Sequence, residues 1–288
     1  MVQRICLLGR DGSGKSTIAQ NLCHALSLMG KKVLLVGDDI SMSSTLLLRG
    51  CADILPALED YRDKYEISLN DYILPTKSGV YCIELGSLEP GIGCMVRSIH
   101  LLDDMLEEQQ VPQKLGLDII LYDLAGDVPC TGYMLPVRDG LMARCIVVTS
   151  GSFAFMATAN SILQAICNTN PAVLQSTQLL VNNANLYNTR TQVNEYAGLT
   201  GIPILGYVHH SRLLEDSMLG QKTIFDFSPS SGVASFFRSL AAALLEPPAP
   251  GCKGPLPRRE MLRWLAEWQR KDLALRSGEI SVDNGGYL

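Results

Sequence analysis

The chain has 288 residues, of which 47% are hydrophobic and 18% charged, and its formal net charge is −5. That length suits one large α/β domain or two small ones, and the apolar content supports a sizeable core, which excludes disorder as the main state. The acidic balance and an aromatic content of only 6% argue against a dedicated nucleic-acid surface. No apolar run reaches the roughly 18 residues of a membrane span. The opening MVQRICLLGR turns to glycine and charge too early for a signal peptide. The expected location is therefore the cytoplasm, with neither membrane nor nucleic acid as a partner. The nine cysteines are odd in number and include no C-x-x-C pair, so a disulfide framework is not expected.

Along the chain, short apolar runs at 4–8, 32–36, 118–122, 144–149, 178–181 and 202–208 read as buried strands. Stretches between them, such as 16–29 and 157–166, have helical apolar spacing. This alternation predicts an α/β fold with a mostly parallel sheet flanked by helices on both faces. Residues 1–245 form the expected main domain. Residues 246–257 (EPPAPGCKGPLP) hold five prolines and read as a linker. The remainder, 258–288, is expected to carry a helix over 258–275 with Met261, Leu265 and Trp268 on one face. That face suits a membrane or partner contact, or packing on its own domain or a dimer mate.

Gly9-Arg10-Asp11-Gly12-Ser13-Gly14-Lys15-Ser16 matches G-x-x-x-x-G-K-[ST], following a predicted strand and opening a predicted helix. The glycines let backbone N–H groups converge on an anion at a helix N-terminus. Lys15 is placed for the β/γ-phosphates, and the Ser16 hydroxyl for Mg²⁺. The motif makes the fold a P-loop NTPase and the cofactor MgATP or MgADP, with Gly9, Asp11, Gly12, Ser13, Gly14 and Thr17 completing the cradle. Two acidic turns follow predicted strands, Gly37-Asp38-Asp39 and Asp123-Leu124-Ala125-Gly126-Asp127. Asp123 is placed to act on Mg²⁺ through water, and the Gly126 N–H to meet a γ-phosphate. Asp39 or Asp127 is a candidate for orienting the attacking water. Taken singly, each of these aspartates also suits a helix N-cap or a solvated turn.

The P-loop with Asn21-Leu22, then Gly30-Lys31-Lys32-Val33 and Gly37-Asp38-Asp39, resembles the start of the nitrogenase iron protein (dinitrogenase reductase) family. That family includes the ATP-dependent subunit of dark-operative protochlorophyllide reductase. Gly79-Val80-Tyr81-Cys82-Ile83-Glu84, running into Glu89-Pro90-Gly91-Ile92-Gly93-Cys94, is similar to the family's first cluster-cysteine segment. Tyr122-Asp123-Leu124-Ala125-Gly126-Asp127-Val128-Pro129-Cys130 is similar to its second. Without the resemblance, both cysteines would read as buried and structural, since neither carries a local ligand motif. With it, Cys94 and Cys130 are expected to ligate a [4Fe–4S] cluster. Such a cluster normally takes four thiolates, and two chains around a twofold axis supply them.

The resemblance further implies a homodimer that delivers low-potential electrons to a catalytic component, and a low-potential ferredoxin or flavodoxin as its donor. Arg97 matches an arginine of the family's docking face, and Asn182 a residue beside the adenine. Cys82 matches a family cysteine that is not a ligand. The chain departs from the pattern in several places. Arg10 stands where the family usually has a lysine acting across the dimer, and the residues after Asp39 read Ile40-Ser41-Met42-Ser43-Ser44. Met95 and Val96 replace small residues, Ser98 replaces a glycine, and His209-His210 replaces Pro-Arg. These changes touch switch and docking surfaces, which favours a nitrogenase-like catalytic partner over a true dinitrogenase. The rival expectation is a related P-loop ATPase that inserts metal or clusters, or positions cargo, without electron transfer.

Overall fold

The computed structural model describes residues 2–64, 66–86, 98–127, 134–186, 188–249 and 251–278. Eight strands form one sheet: β1 (Gln3–Gly9), β2 (Val33–Asp38), β3 (Leu74–Pro75), β4 (Tyr81–Glu84), β5 (Ile119–Leu124), β6 (Arg144–Thr149), β7 (Gln178–Asn182) and β8 (Ile204–Val208). Their order is β3-β4-β2-β5-β1-β6-β7-β8, and every pair is parallel except β3 with β4. The six strands expected from apolar runs are all present. Two more, β3 and β4, are too short to read as strands on hydrophobicity. Strand β5 runs on through Leu124, so Asp123 is its penultimate residue rather than the turn after it.

Because helices cover both faces, the strands are apolar on both sides, and successive residues feed two separate cores. Ile5, Leu7, Leu35, Leu121 and Ile146 face the P-loop helix Lys15–Leu28 and the helix Gly232–Leu245. Cys6, Leu8, Val36, Tyr122 and Val147 face the opposite core, which takes in Met156, Ile162 and Ile166 of the helix Phe153–Thr169. The C-terminal helix Arg258–Ser277 adds Met261, Trp264 and Leu265 to this second core. The proline-rich stretch before it is pinned to the body. Asn160 Nδ2 donates to the Leu256 carbonyl at 2.9 Å, and Leu256 N donates back to Asn160 Oδ1 at 2.9 Å.

The helix Ser98–Glu108 is held to the sheet by charge as well as by packing. Arg4 of β1 donates to Asp103 Oδ1 at 2.8 Å, and the Tyr122 hydroxyl of β5 donates to the same oxygen at 2.5 Å. All three side chains are buried, and Arg4 also reaches Glu107. Removing one member of a buried ion pair strands its partner in a low dielectric. Asp103→Ala should therefore cost about 3 kcal/mol, read as a lower urea midpoint in equilibrium unfolding. An unchanged midpoint would show that this network does not hold the helix.

Candidate functional site: a phosphate cradle and its buried carboxylates

Strand order reverses around β1, whose neighbours β5 and β6 come from later in the chain. In such sheets the ligand site lies beyond the carboxyl ends of the strands at this reversal. The P-loop stands there, leaving β1 at Gly9 and entering the helix at Lys15. Gly12 and Gly14 have φ of 77° and 88°, left-handed values that side chains resist. Gly14 is needed for space too, since a Cβ there would sit 2.4 Å from Asn182 Nδ2. Asn182 ends β7 and donates to the Ser13 carbonyl at 2.8 Å, so it braces the cradle from outside.

Lys15 is buried and donates to the Gly9 carbonyl at 3.1 Å. Burial lowers its pKa, opposed by the charges of Asp123, Asp11, Asp127 and Asp39. Asp123 is 1% exposed, and neither of its oxygens makes a hydrogen bond of normal length. Burial raises its pKa, while the nearby Ser16 and Ser44 hydroxyls and Lys15 draw it back down. The buried Ser13 hydroxyl likewise has no partner. Buried polar groups without partners are costly. A hydrated Mg²⁺ beside Asp123 and a phosphate oxygen beside Ser13 supply what these groups lack, so the residues present fit a magnesium nucleotide.

The loop after β5 rests directly on the P-loop. Asp127, with φ of 72°, donates its N–H to the Gly9 carbonyl at 3.1 Å. A Cβ on Gly126 would lie 2.1 Å from Asp11 Oδ1, so only glycine permits this approach. Asp39, half-buried just after β2, accepts from the hydroxyls of Ser43, at 3.0 Å, and Ser41. Arg10 is exposed, with its guanidinium 5.8 Å from the Phe155 ring centroid. Thr17 directs its hydroxyl toward the Met218 sulfur at 3.6 Å. Lys15, Ser16, Asp39, Asp123, Gly126 and Asp127 thus gather at one end of the sheet. Cys94, Cys130 and Arg97 lie outside the described residues. Cys82 is described, and it is buried in β4 with its thiol pKa pushed up by burial.

Two further carboxylates join this end that sequence reasoning did not single out. In register, Glu84 of β4 pairs with Gly37 of β2, which pairs with Asp123 of β5. Gly37 has no side chain, and the Glu84 carboxylate lies over it: a Cβ there would come within 1.9 Å of Glu84 Oε2. Glu84 Oε1 accepts from the Thr45 N–H at 2.8 Å and from its hydroxyl at 2.7 Å, while Oε2 has no partner. Asp38 accepts from the Ser98 hydroxyl at 2.7 Å. The available signal was an acidic residue closing each apolar strand, at YCIE and VLLVGD. A cavity of about 470 Å³ lies at the same end of the sheet, just past the ends of β6 and β7, with Ser150, Gly151, Asn183, Gln192 and Trp268 among its walls. Asp272 on its wall is already held by Asn188 at 2.7 Å and Arg276 at 2.8 Å.

Burial pushes Asp38 from the ordinary 3.8 up to about 8, helped by the charges of Asp123, Asp39 and Glu84 and opposed by the Ser98 hydrogen bond. Burial likewise raises Glu84 to about 7, against the Thr45 hydrogen bonds. An acid whose pKa is higher folded than unfolded stabilises the fold while protonated. That contribution is full below about pH 4 and is lost as the pH rises through about 8. Nucleotide-free protein should therefore melt lower at pH 8.5 than at pH 5, and Asp38→Asn, which mimics the protonated side chain, should flatten that fall. Parallel melting-temperature profiles for the two proteins would contradict the assignment.

Residues 3–271 match the family model of 4Fe-4S iron sulfur cluster binding proteins, NifH/frxC family. The chain is 32% identical over 289 residues to nitrogenase iron protein 2 of Paenibacillus durus, covering 100% of this chain and 99% of that protein. It is 33% identical over 264 residues to nitrogenase iron protein 2 of Methanothermococcus thermolithotrophicus, covering 85% and 89%. Among solved structures, the septum site-determining protein MinD complexed with Mg-ADP from Pyrococcus horikoshii superposes with a TM-score of 0.68 at 22% identity, covering 85% of this chain and 96% of that one. A ParA family ATPase from Chlorobium tepidum gives 0.63 at 18% identity, covering 84% and 99%. Those two likenesses establish the P-loop ATPase fold. The match along nearly the whole chain and the identity to the two iron proteins go further: this chain belongs to the NifH/frxC family of 4Fe-4S iron sulfur cluster binding proteins.

Proposed function

We propose that the chain is the ATP-dependent reductase component of a nitrogenase-like system, a homodimer in which MgATP hydrolysis gates electron transfer to a catalytic partner. The observation that carries this reading is the contact of the 126–127 loop with the P-loop, at Gly126–Asp11 and Asp127–Gly9. Cys130 follows three residues later. A γ-phosphate arriving at or leaving this contact must shift the loop, and with it the chain leading to Cys130.

In this reading Lys15 neutralises the β/γ-phosphates, Ser16 ligates Mg²⁺, and Asp123 holds its water shell. Asp39 and Asp127 are the candidates for orienting the attacking water. Arg10 takes the place of the family's lysine that acts across the dimer. Asn182, which braces the cradle, borders the base. Cys94 and Cys130 from each protomer supply the four thiolates that a bridging [4Fe–4S] cluster takes. Bound there, the cluster supplies one-electron transfer, with a low-potential ferredoxin or flavodoxin as donor. The likeness in fold to MinD favours a second reading, an ATPase that inserts clusters or positions cargo without electron transfer. Among the described residues no helix is long and apolar enough to cross a membrane.

Lys15→Ala should lower ATP turnover by about 100-fold or more, since it removes the buried charge facing the transferred phosphate. Turnover at the wild-type rate would remove the phosphate-site assignment. Cys94→Ala and Cys130→Ala should each leave half the thiolates and lose iron, whereas Cys82→Ala should keep it. Iron per dimer, measured anaerobically alongside the size-exclusion mass, distinguishes the three. Full iron in the Cys94 variant, or none in the Cys82 variant, would show that the ligands are wrongly assigned.

A further inference from the structure

Arg10 and Lys15 are the two cations of the P-loop, and they are held in different ways. Lys15 is buried against the Gly9 carbonyl, whereas the Arg10 side chain is exposed. Among the described residues, the Arg10 guanidinium has no hydrogen bond or ion pair. It stands instead over the Phe155 ring, 5.8 Å from the centroid, which is within cation–π range. The tip of the same ring reaches the far side of the loop, since a Cβ on Gly12 would be 4.0 Å from Phe155 Cζ. One aromatic side chain therefore borders both residue 10 and residue 12.

Strand pairing sets where that ring stands. Val148 of β6 lies opposite Gly9 of β1, so close that a Cβ on Gly9 would be 2.4 Å from the Val148 carbonyl oxygen. The chain leaves β6 at Thr149 and enters the helix Phe153–Thr169, with Met156 N donating to the Ser152 carbonyl at 3.0 Å. Phe155 is thus in the first turn of this helix, beside the P-loop. The approach to that turn is braced from behind. A Cβ on Gly151 would be 2.6 Å from Thr189 Oγ1, so only glycine lets the two segments meet. The Gln192 amide, in the orientation that satisfies both neighbours, donates to the Gly151 carbonyl and accepts from the Trp268 indole N–H at 3.0 Å.

An exposed arginine on a flexible stem samples many rotamers and must be ordered whenever its charge is needed. A planar guanidinium held over a ring is ordered in advance, so less freedom is lost in the transition state. We infer that Phe155 is a positioning residue for ATP hydrolysis, its ring seating the Arg10 guanidinium beside the phosphate cradle. Phe155 carries no group that a phosphate can use, and it acts only through Arg10. Its removal should therefore slow hydrolysis without altering how nucleotide binds. The inference rests on the proposed function for the part that Arg10 takes in hydrolysis. The seat itself concerns residues 10–12 and 148–155.

The test is a double-mutant cycle of saturated ATP turnover on the anaerobically purified dimer, comprising wild type, Phe155→Leu, Arg10→Ala and the double variant. Affinity for a non-hydrolysable MgATP analogue and the melting temperature are read on the same proteins. Phe155→Leu should lower kcat about fivefold, equivalent to about 1 kcal/mol at about 1.4 kcal/mol per tenfold. In the Arg10→Ala background the same substitution should change kcat by less than about twofold, because no guanidinium is left to seat. KM and analogue affinity should stay within about twofold in Phe155→Leu, the pattern of an interaction made in the transition state. Phe155→Met serves the same arm should the leucine variant fail to fold. Equal losses in both backgrounds would make the ring a support for the loop rather than for Arg10, and overturn the inference. Weaker analogue binding at unchanged kcat, Arg10→Ala at the wild-type rate, or no wild-type turnover would overturn it too. An iron-free wild-type dimer that shows the coupling refutes the electron-transfer reading and leaves the seat standing. An iron-loaded dimer whose Phe155→Leu variant turns over at the full rate does the reverse.

Discussion

Lys15 sits at the carboxyl end of the sheet among carboxyl groups that outnumber it. Asp123 and Glu84 share one register across Gly37, Asp38 follows on the same strand as Gly37, and all three carboxylates are buried. Burial disfavours the charged form of each, and their mutual repulsion adds to it. The arrangement is costly when the carboxylates are ionised, and a divalent cation beside them brings compensating charge. A site built this way responds strongly to what occupies it.

The rest of the molecule places that response where it can be used. Two apolar cores fix the central strands from both faces, so the strand ends form a rigid rim. Among the described residues, the segments rising from the rim are held by specific contacts that include Asp127 to Gly9, Gly126 against Asp11, Thr45 to Glu84, and Ser98 to Asp38. Rigid strands with loops held at defined points are suited to turning a change in phosphate contacts into loop displacement. The Arg4–Asp103–Tyr122 network ties the body of one helix to the central strands, and the first residue of that helix donates to Asp38.

The central strands and the P-loop were legible in the sequence because each has a strong local cause. Strands buried on both faces read as apolar runs, and the cradle needs its glycines at fixed spacing. Strand β4 was not, since four residues are too few for periodicity and its stability comes from pairing with β2. Glu84 carries no local signal of its place in the site, because that place depends on lying over a glycine of a different strand. Trp264 joins Met261, Leu265 and Trp268 as a buried residue of the C-terminal helix, completing a face of which only part had been read from spacing. Asn182 was expected beside a base, and its amide is found bracing the P-loop carbonyl of Ser13. Local pattern does not reveal a hydrogen bond spanning most of the chain.

The central claim is that nucleotide at Lys15 alters the surroundings of a cluster held between two protomers. Electron spin resonance of the anaerobically purified, dithionite-reduced dimer tests it most directly. The account predicts a reduced [4Fe–4S] signal whose shape changes on adding MgATP and does not change with ATP when Mg²⁺ is withheld. A protein that binds MgATP yet gives no signal, or a signal indifferent to MgATP, would contradict it.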